Sequence, residues 1–85
     1  MKMEINIPEF NIEKGITYEW TDGFEISVKV KGQVVSITAN REGLISLANH
    51  FLNLAQEKIP KGHHMHFDEY NSLDTGSYEL IISKK

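Results

Sequence analysis

Apolar and polar residues alternate along the first half of the chain, and this alternation predicts three strands. Residues 16–20, 24–30 and 35–39 each carry an apolar side chain at every second position, which is the period of a half-buried strand. A three-residue loop at 21–23, with Gly23 in the left-handed region, and a two-residue turn at 31–32 would align the apolar positions on one face. The second turn pairs Val28 with Val35. The pattern therefore predicts an antiparallel meander.

After Asn40 the apolar spacing becomes that of a helix, with Asn40 as its N-cap and an end near Lys58, because Pro60 disfavours helical geometry at the residue before it. The stripe expected to face the sheet consists of Leu44, Leu47, Ala48, Phe51, Leu54 and Ala55. The positions expected on the far side are Ser46, Asn49, His50, Asn53 and Glu57. Such a helix is stable only when its apolar stripe docks on a sheet.

Two later segments, 64–68 and 77–83, also alternate and are predicted as strands, and Met3, Ile5 and Ile7 suggest a sixth strand. A chain of 85 residues supports one hydrophobic core. We therefore expect a single α+β domain over residues 1–85, with residues 1–15 either loosely ordered or forming the extra strand. The expected architecture is a two-layer sandwich in which one helix covers a single antiparallel sheet of five or six strands, in the order β-β-β-α-β-β.

The amino-acid composition excludes several classes of function. The chain has no cysteine, which excludes disulfides and thiolate chemistry and favours a reducing cytoplasm. It has no apolar run long enough for a membrane span or secretion signal, and its net charge of −3 argues against nucleic acid as a partner. Residues 62–83 hold four acidic residues and no lysine or arginine. This local charge favours a surface that attracts a basic protein.

Three histidines near this acidic segment suggest a metal site as an alternative. On a strand, His64, His66 and Asp68 would point the same way, and two imidazoles with one carboxylate could bind zinc and leave a position for water. The other interpretation is an exposed polar face opposite Met65 and Phe67. The sequence contains no nucleophile elbow, phosphate-binding glycine loop or zinc-protease motif, so catalysis has little support.

Two stretches of the second half carry a family resemblance. They read NREGLISLANH at residues 40–50 and HFDEYNSL at residues 66–73, the latter followed by GS at 76–77 and ELII at 79–82. Over roughly residues 36–83 the chain resembles the immunity protein 32 family of bacterial polymorphic toxin systems. The string DEYNSL is the most specific part of this resemblance.

The resemblance implies a small cytoplasmic α+β protein that binds and neutralises a cognate toxin, with no catalytic activity and no cofactor. Our own hypothesis, drawn from the acidic loop, places the toxin contact at six residues: His66, Asp68, Glu69, Tyr70, Asn71 and Leu73. A structural interpretation has equal weight, in which Asp68, Asn71 and Ser72 satisfy backbone groups of a tight connection. A third interpretation is an adaptor that forms a homodimer through an open sheet face or an edge strand.

Overall fold

The computed structural model describes all 85 residues and contains four strands and one helix in the order β-β-α-β-β. No helix in it has the length and apolar character that crossing a membrane requires. The elements are β1 (Ile26–Lys31), β2 (Val34–Ala39), α1 (Arg41–Leu54), β3 (His64–Phe67) and β4 (Leu80–Ser83).

The fold is α+β, but the prediction of a single sheet with five or six strands is wrong. The structure has two separate antiparallel pairs, β1 with β2 and β3 with β4. Residues 16–20 form no strand, because side chains of α1 hold the backbone of this segment. The carbonyl of Thr17 accepts a hydrogen bond from Asn53 Nδ2 at 2.8 Å, and the N–H of Thr21 donates to Ser46 Oγ at 2.9 Å. The segment therefore lies along the helix and not beside β1.

The β1–β2 hairpin has the expected apolar face and a register shifted by two residues. Val28 pairs with Ile37, and Lys31 with Val34, so the turn lies at residues 32–33. Gly32 has φ 61°, and no residue other than glycine has a positive φ. Glycine at the first central position is the signature of a type II′ turn, whose twist suits a hairpin. A shift of two residues preserves the alternation of faces, which is why the apolar positions still coincide.

Residues 74–78 connect the two sheets without forming a regular ladder. The N–H groups of Asp74 and Tyr78 donate to the carbonyls of Ile26 and Val28, at 2.8 and 2.9 Å. The N–H of Val28, however, donates to Ser77 Oγ at 3.2 Å. Residues 77 and 78 thus bond to β1 and not to β3, and β4 starts at Leu80, three residues later than expected.

Asn40 caps α1 as predicted and also fixes the chain that precedes β1. Its Oδ1 accepts hydrogen bonds from the N–H groups of Gly43 and Glu25, at 2.8 and 2.9 Å, and its Nδ2 donates to the carbonyl of Gly23 at 2.8 Å. The helix ends four residues earlier than expected, at Leu54. Beyond this end the Gln56 amide donates to the carbonyl and side-chain oxygens of Asn53, at 3.1 and 2.8 Å, and closes the last turn.

The buried side of α1 differs from the predicted one by roughly a third of a turn, given 3.6 residues per turn. Four polar residues expected in solvent are buried: Ser46, Asn49, His50 and Asn53. Three apolar residues of the helix are about half exposed: Leu44, Phe51 and Leu52. The reason is that residues 6–21 cover the polar side and offer carbonyl groups to it. Asn49 donates to the carbonyl of Asn6 at 2.9 Å, and Gln56 to that of Pro8 at 3.0 Å.

The core lies between α1, the inner face of β1 and the inner face of the β3–β4 pair. Its nine buried apolar residues are Phe10, Ile26, Val28, Leu47, Leu54, Ile59, Met65, Phe67 and Leu73. Three of them belong to irregular segments, and one of these is Ile59, which lies between α1 and β3. Phe10 comes from the N-terminal segment, and Leu73 comes from the loop between β3 and β4. The core therefore fixes both of these segments, and together they frame the candidate site.

Candidate partner-binding surface

The loop that follows β3 is built around Asp68. The backbone carbonyl of Asp68 accepts hydrogen bonds from the N–H groups of Asn71, Ser72 and Leu73, at 3.3, 3.1 and 2.8 Å. Its side-chain Oδ1 accepts from the N–H groups of Tyr70 and Asn71, at 2.9 and 3.1 Å. An aspartate that bonds to backbone groups two and three residues ahead is a standard way to stabilise a tight turn. Asp68 therefore orders the loop.

Asn71 closes the same turn from the other side. Its Oδ1 accepts hydrogen bonds from the N–H of Asp68 at 3.0 Å and from Ser72 Oγ, while its Nδ2 donates to the carbonyl of His66 at 3.2 Å. Glu69 ties the loop to its far end, because its Oε2 accepts from the N–H of Gly76 at 2.6 Å. These bonds support the structural interpretation of Asp68, Asn71 and Ser72. They also hold the exposed side chains of the loop in a fixed arrangement.

The loop presents Tyr70 and buries Leu73. Tyr70 is 90% exposed, whereas Leu73 is 5% exposed and belongs to the core. The two apolar side chains of the loop thus have opposite roles, one available to a partner and one holding the loop down. Hydrogen bonding to the Glu69 carboxylate, together with its charge, raises the pKa of the Tyr70 hydroxyl. Tyr70 is therefore neutral at physiological pH.

A hollow of about 170 Å³ opens beside this loop. Its lining residues are Tyr18, Trp20, His66, Phe67, Asn71 and Ser72. The alternation in residues 16–20 predicted Tyr18 and Trp20 on the apolar face of a meander, and it did not indicate that both line a hollow next to Asn71. Burial raises the pKa of Tyr18, so this tyrosine also stays neutral. The hollow is consequently aromatic on one side and polar on the side of the loop.

His50 lies behind the hollow, packed among aromatic rings. Its ring centroid is 4.3 Å from that of Trp20, 5.5 Å from that of Tyr18 and 5.3 Å from that of Phe67. It has no exposed surface, and neither ring nitrogen has a hydrogen-bond partner. Burial lowers the pKa of His50 from 6.5 to about 4, so the imidazole is neutral at pH 7 and behaves as part of the apolar wall.

The charges around the loop are mostly negative. Asp74 and Glu79 are exposed, and Glu79 lies 3.7 Å from the Nδ1 of His66. One positive charge reaches this region from β1, because Lys29 Nζ donates to the carbonyl of Gly76 at 2.8 Å. Lys29 lies 47 residues away from its acceptor, so no local pattern of residues indicates this contact. The acidic surface is therefore bordered by one ammonium group.

Comparison with known proteins assigns the family. The chain matches the family model of immunity protein 32 over residues 34–85. It belongs to the immunity protein 32 family. The matched range covers more than half of the chain and runs from the first residue of β2 through the loop and β4. No curated protein and no solved structure matches the chain.

The immunity protein 32 match divides the candidate site into two parts. Four residues that line the hollow lie inside the matched range: His66, Phe67, Asn71 and Ser72. The other two, Tyr18 and Trp20, precede it. The family region therefore supplies the ordered loop, and the N-terminal segment supplies the aromatic wall opposite it.

The histidines next to the loop do not form a metal site together with Asp68. The rings of His64 and His66 lie edge to face with centroids 4.7 Å apart, but the structure contains no group of three His, Cys, Asp or Glu side chains that could hold a metal ion. The Oδ1 of Asp68 already accepts two backbone hydrogen bonds. The zinc alternative built on these three residues thus has no support from the geometry.

Proposed function

We propose that this protein neutralises a cognate toxin domain by direct contact, without catalysis, in the cytoplasm of the cell that makes the toxin. Membership of the immunity protein 32 family is the observation that carries this proposal. The geometry adds support, because an ordered loop with an exposed aromatic side chain beside a hollow suits binding of another protein. A chain with 6250 Å² of surface needs only about one eighth of it for a standard interface of roughly 800 Å² per partner.

The proposed contact surface consists of His66, Asp68, Glu69, Tyr70 and Asn71, with Leu73 holding it to the core from below. Tyr70 is the anchor of this surface, since large aromatic side chains contribute most of the energy at many interfaces. Loss of rotational freedom at such a rigid side chain is small, and the loop around it is already ordered by Asp68. The toxin would therefore dock on a preformed surface.

The charge of this surface indicates a basic partner. Carboxylates of Asp74 and Glu79 are exposed near the loop, and they would accelerate encounter with a positively charged toxin more than they would raise final affinity. The hollow beside the loop has aromatic walls of Tyr18 and Trp20. A lysine or arginine side chain of the toxin would find a favourable aromatic face there.

Replacement of Tyr70 tests the proposal. The partner to use is the toxin domain encoded by the reading frame next to the gene for this protein. We expect Tyr70→Ala to weaken binding by about 2 kcal/mol, close to thirtyfold in Kd, as for an aromatic interface anchor. Isothermal titration calorimetry measures the affinity, and survival of cells that express the toxin measures neutralisation. Because Tyr70 is almost fully exposed, the melting temperature should stay unchanged.

Phe51→Ala is the matched control, since this aromatic residue is half exposed on α1 outside the proposed surface. It should leave toxin affinity as it is. Equal affinity of wild type and Tyr70→Ala would remove the loop from the interface. A protein that neither binds the neighbouring gene product nor protects cells from it would contradict the function itself.

A further inference from the structure

The strand β2 leaves one edge of the first sheet open. It pairs with β1 alone, and its first five residues are exposed. Its sequence, VVSITA, contains no charged residue and no proline. Natural proteins usually protect an edge strand with lysine, proline or a bulge, because unpaired N–H and C=O groups pair readily with another strand. This edge has no such protection and is therefore open to pairing with another strand.

The direction of the free backbone groups follows from the hydrogen bonds around the hairpin. The N–H of Asn40 donates to the carbonyl of Glu25 at 3.1 Å, which marks these two residues as a hydrogen-bonded pair of the extended ladder. Because such pairs alternate along an antiparallel ladder, the backbone groups of Ser36 and Thr38 point towards β1. The N–H and C=O groups of Val35 and Ile37 therefore point away from β1, to the open edge.

We propose that β2 pairs antiparallel with β2 of a second copy of this chain, with Ser36 on the two-fold axis. In this register Val35 lies opposite Ile37 of the second copy, and Ile37 lies opposite Val35. Both pairs bring together residues whose backbone groups point outward, so each pair makes two hydrogen bonds across the interface. The strand is thus complementary to itself in the way a two-fold interface demands.

The apolar face of the sheet continues across this interface. Within the hairpin, Val30 pairs with Val35 and Val28 with Ile37, and these side chains lie on the face that carries the core. Of them only Val28 is buried in one copy, while Val35 is 61% exposed. In the pair of copies Val35 and Ile37 would cover one another, which removes exposed β-branched side chains from water.

Charge does not oppose this pairing. The nearest cation on the outer face is Lys29, which lies beside Ser36 in the ladder. Across the four strands of the dimer the two copies of Lys29 are about 14 Å apart, at three strand spacings, which exceeds the Debye length of roughly 8 Å at physiological ionic strength. An uncharged strand therefore meets an uncharged strand.

The dimer leaves the proposed toxin surface free. Residues 74–78, which lead away from the loop, bond to the carbonyls of Ile26 and Val28 on the side of β1 that faces away from β2. The dimer edge and the loop are thus on opposite sides of β1. Dimer formation does not depend on the proposed function, and each can fail without the other.

Single cysteines test both the contact and its register, since the chain has none of its own. Ser36 would face its own copy as a non-hydrogen-bonded pair with Cα atoms about 4.5 Å apart, which is within the range that a disulfide spans. With oxidised glutathione, Ser36→Cys should form a covalent dimer at least about ten times faster than Thr38→Cys. Thr38 is the matched control, because it lies on the same exposed face of β2 and would face Val34 of the second copy.

Lysine substitutions test which face of β2 packs against the second copy. Val34 and Val35 are 62% and 61% exposed and point to opposite faces of the sheet. Val35→Lys would place an ammonium group against Ile37 of the second copy, and it should weaken the dimer by at least about tenfold in Kd. Val34→Lys adds the same charge on the solvated face and should leave the dimer largely intact. Analytical ultracentrifugation measures the dimer, and thermal unfolding checks that both variants fold.

Three results would overturn the proposal. They are a wild-type protein that remains monomeric at submillimolar concentration, Thr38→Cys that crosslinks as fast as Ser36→Cys, and Val34→Lys that dissociates the dimer as strongly as Val35→Lys. A monomer whose β2 amides become protected from exchange only when toxin is added would assign this edge to a toxin strand. That result also contradicts the dimer.

Discussion

Residues 1–25 and the β1–β2 hairpin both pack against α1, but different interactions hold them there. The N-terminal segment is attached by side-chain amides of the helix, such as Asn49 and Asn53, which donate to its carbonyl groups. The hairpin is attached by direct packing at Gly43, where an added Cβ would lie 2.9 Å from Cγ1 of Ile26 and 3.0 Å from Cβ of Ala39. One region depends on directional hydrogen bonds, and the other depends on close approach.

This difference shows why similar sequence patterns formed different structures. Alternation predicted strands both in residues 16–20 and in residues 35–39. The second segment became β2, because a glycine turn brings it next to β1. The first segment lies across the polar side of α1, where Asn53 and Ser46 compete successfully for its backbone groups. Alternation alone does not determine whether a segment pairs with a neighbouring strand or packs along a helix.

The largest expected effect comes from the pH dependence of His50, which contacts the aromatic residues of the N-terminal segment. Its pKa in the native protein is about 4, below the ordinary value of 6.5. Between these values the unfolded chain binds a proton that the native protein does not bind, so stability falls as the pH decreases from 6.5 to 4. The expected loss is about 3 kcal/mol, at 1.36 kcal/mol for each unit of pKa. Urea unfolding at a series of pH values measures it.

His50→Leu should remove this part of the pH dependence and should not lower stability at pH 7, because it eliminates two unpaired ring nitrogens. His64→Ala, which changes an exposed histidine, serves as the control and should keep the slope of the wild type. If the free energy of unfolding depends on pH in the same way in wild type and in His50→Leu, the imidazole must have access to water or to a hydrogen-bond partner in the native protein.

Gly43→Ala tests the close packing of the hairpin, and its effect should be smaller. The new methyl group would meet the carbonyl of Glu25 and lie 2.9 Å from Cγ1 of Ile26. Overpacking of this kind costs about 1–3 kcal/mol, partly offset by up to about 1 kcal/mol of improved helix propensity. We expect a net loss of about 1–2 kcal/mol in denaturant unfolding, with faster amide exchange in β1. A net gain in stability, as at an ordinary helix position, would contradict the tight approach.

Asn53→Ala tests the attachment of the N-terminal segment and should have the smallest effect, about 1 kcal/mol, the typical value for one hydrogen bond. The Gln56 amide, which also donates to Asn53 Oδ1, keeps its bonds to the carbonyls of Asn53 and Pro8. Because Thr17 is exposed, water can replace the lost donor at its carbonyl. Hydrogen exchange should increase in residues 16–21 and stay unchanged in β1 and β2. Leu52→Ala, on the exposed side of the same helix, should change neither region. Equal loosening of the hairpin would show that the two attachments are not independent.

Local features were predictable from the sequence. The N-cap at Asn40 depends on residues within a few positions of each other, and short-range rules cover such cases. A turn containing Gly32 was also predictable, but it lies at residues 32–33 and not at 31–32. The family resemblance was equally accessible, and the match over residues 34–85 confirms it. The loop string contained both its ordering residues and its exposed tyrosine, but the sequence could not assign these roles, because Tyr70 and Leu73 are both apolar groups in a polar loop.

The sequence by itself determined where the helix begins and which family the chain belongs to, since these depend on neighbouring residues or on a contiguous string. Tertiary structure decided which side of α1 is buried and which aromatic residues line the hollow. The decisive hydrogen bonds, from Asn53 to Thr17 and from Gln56 to Pro8, join residues 36 and 48 positions apart. Such contacts exist only once the chain has folded back on itself, because no local periodicity encodes which distant carbonyl will satisfy a buried amide.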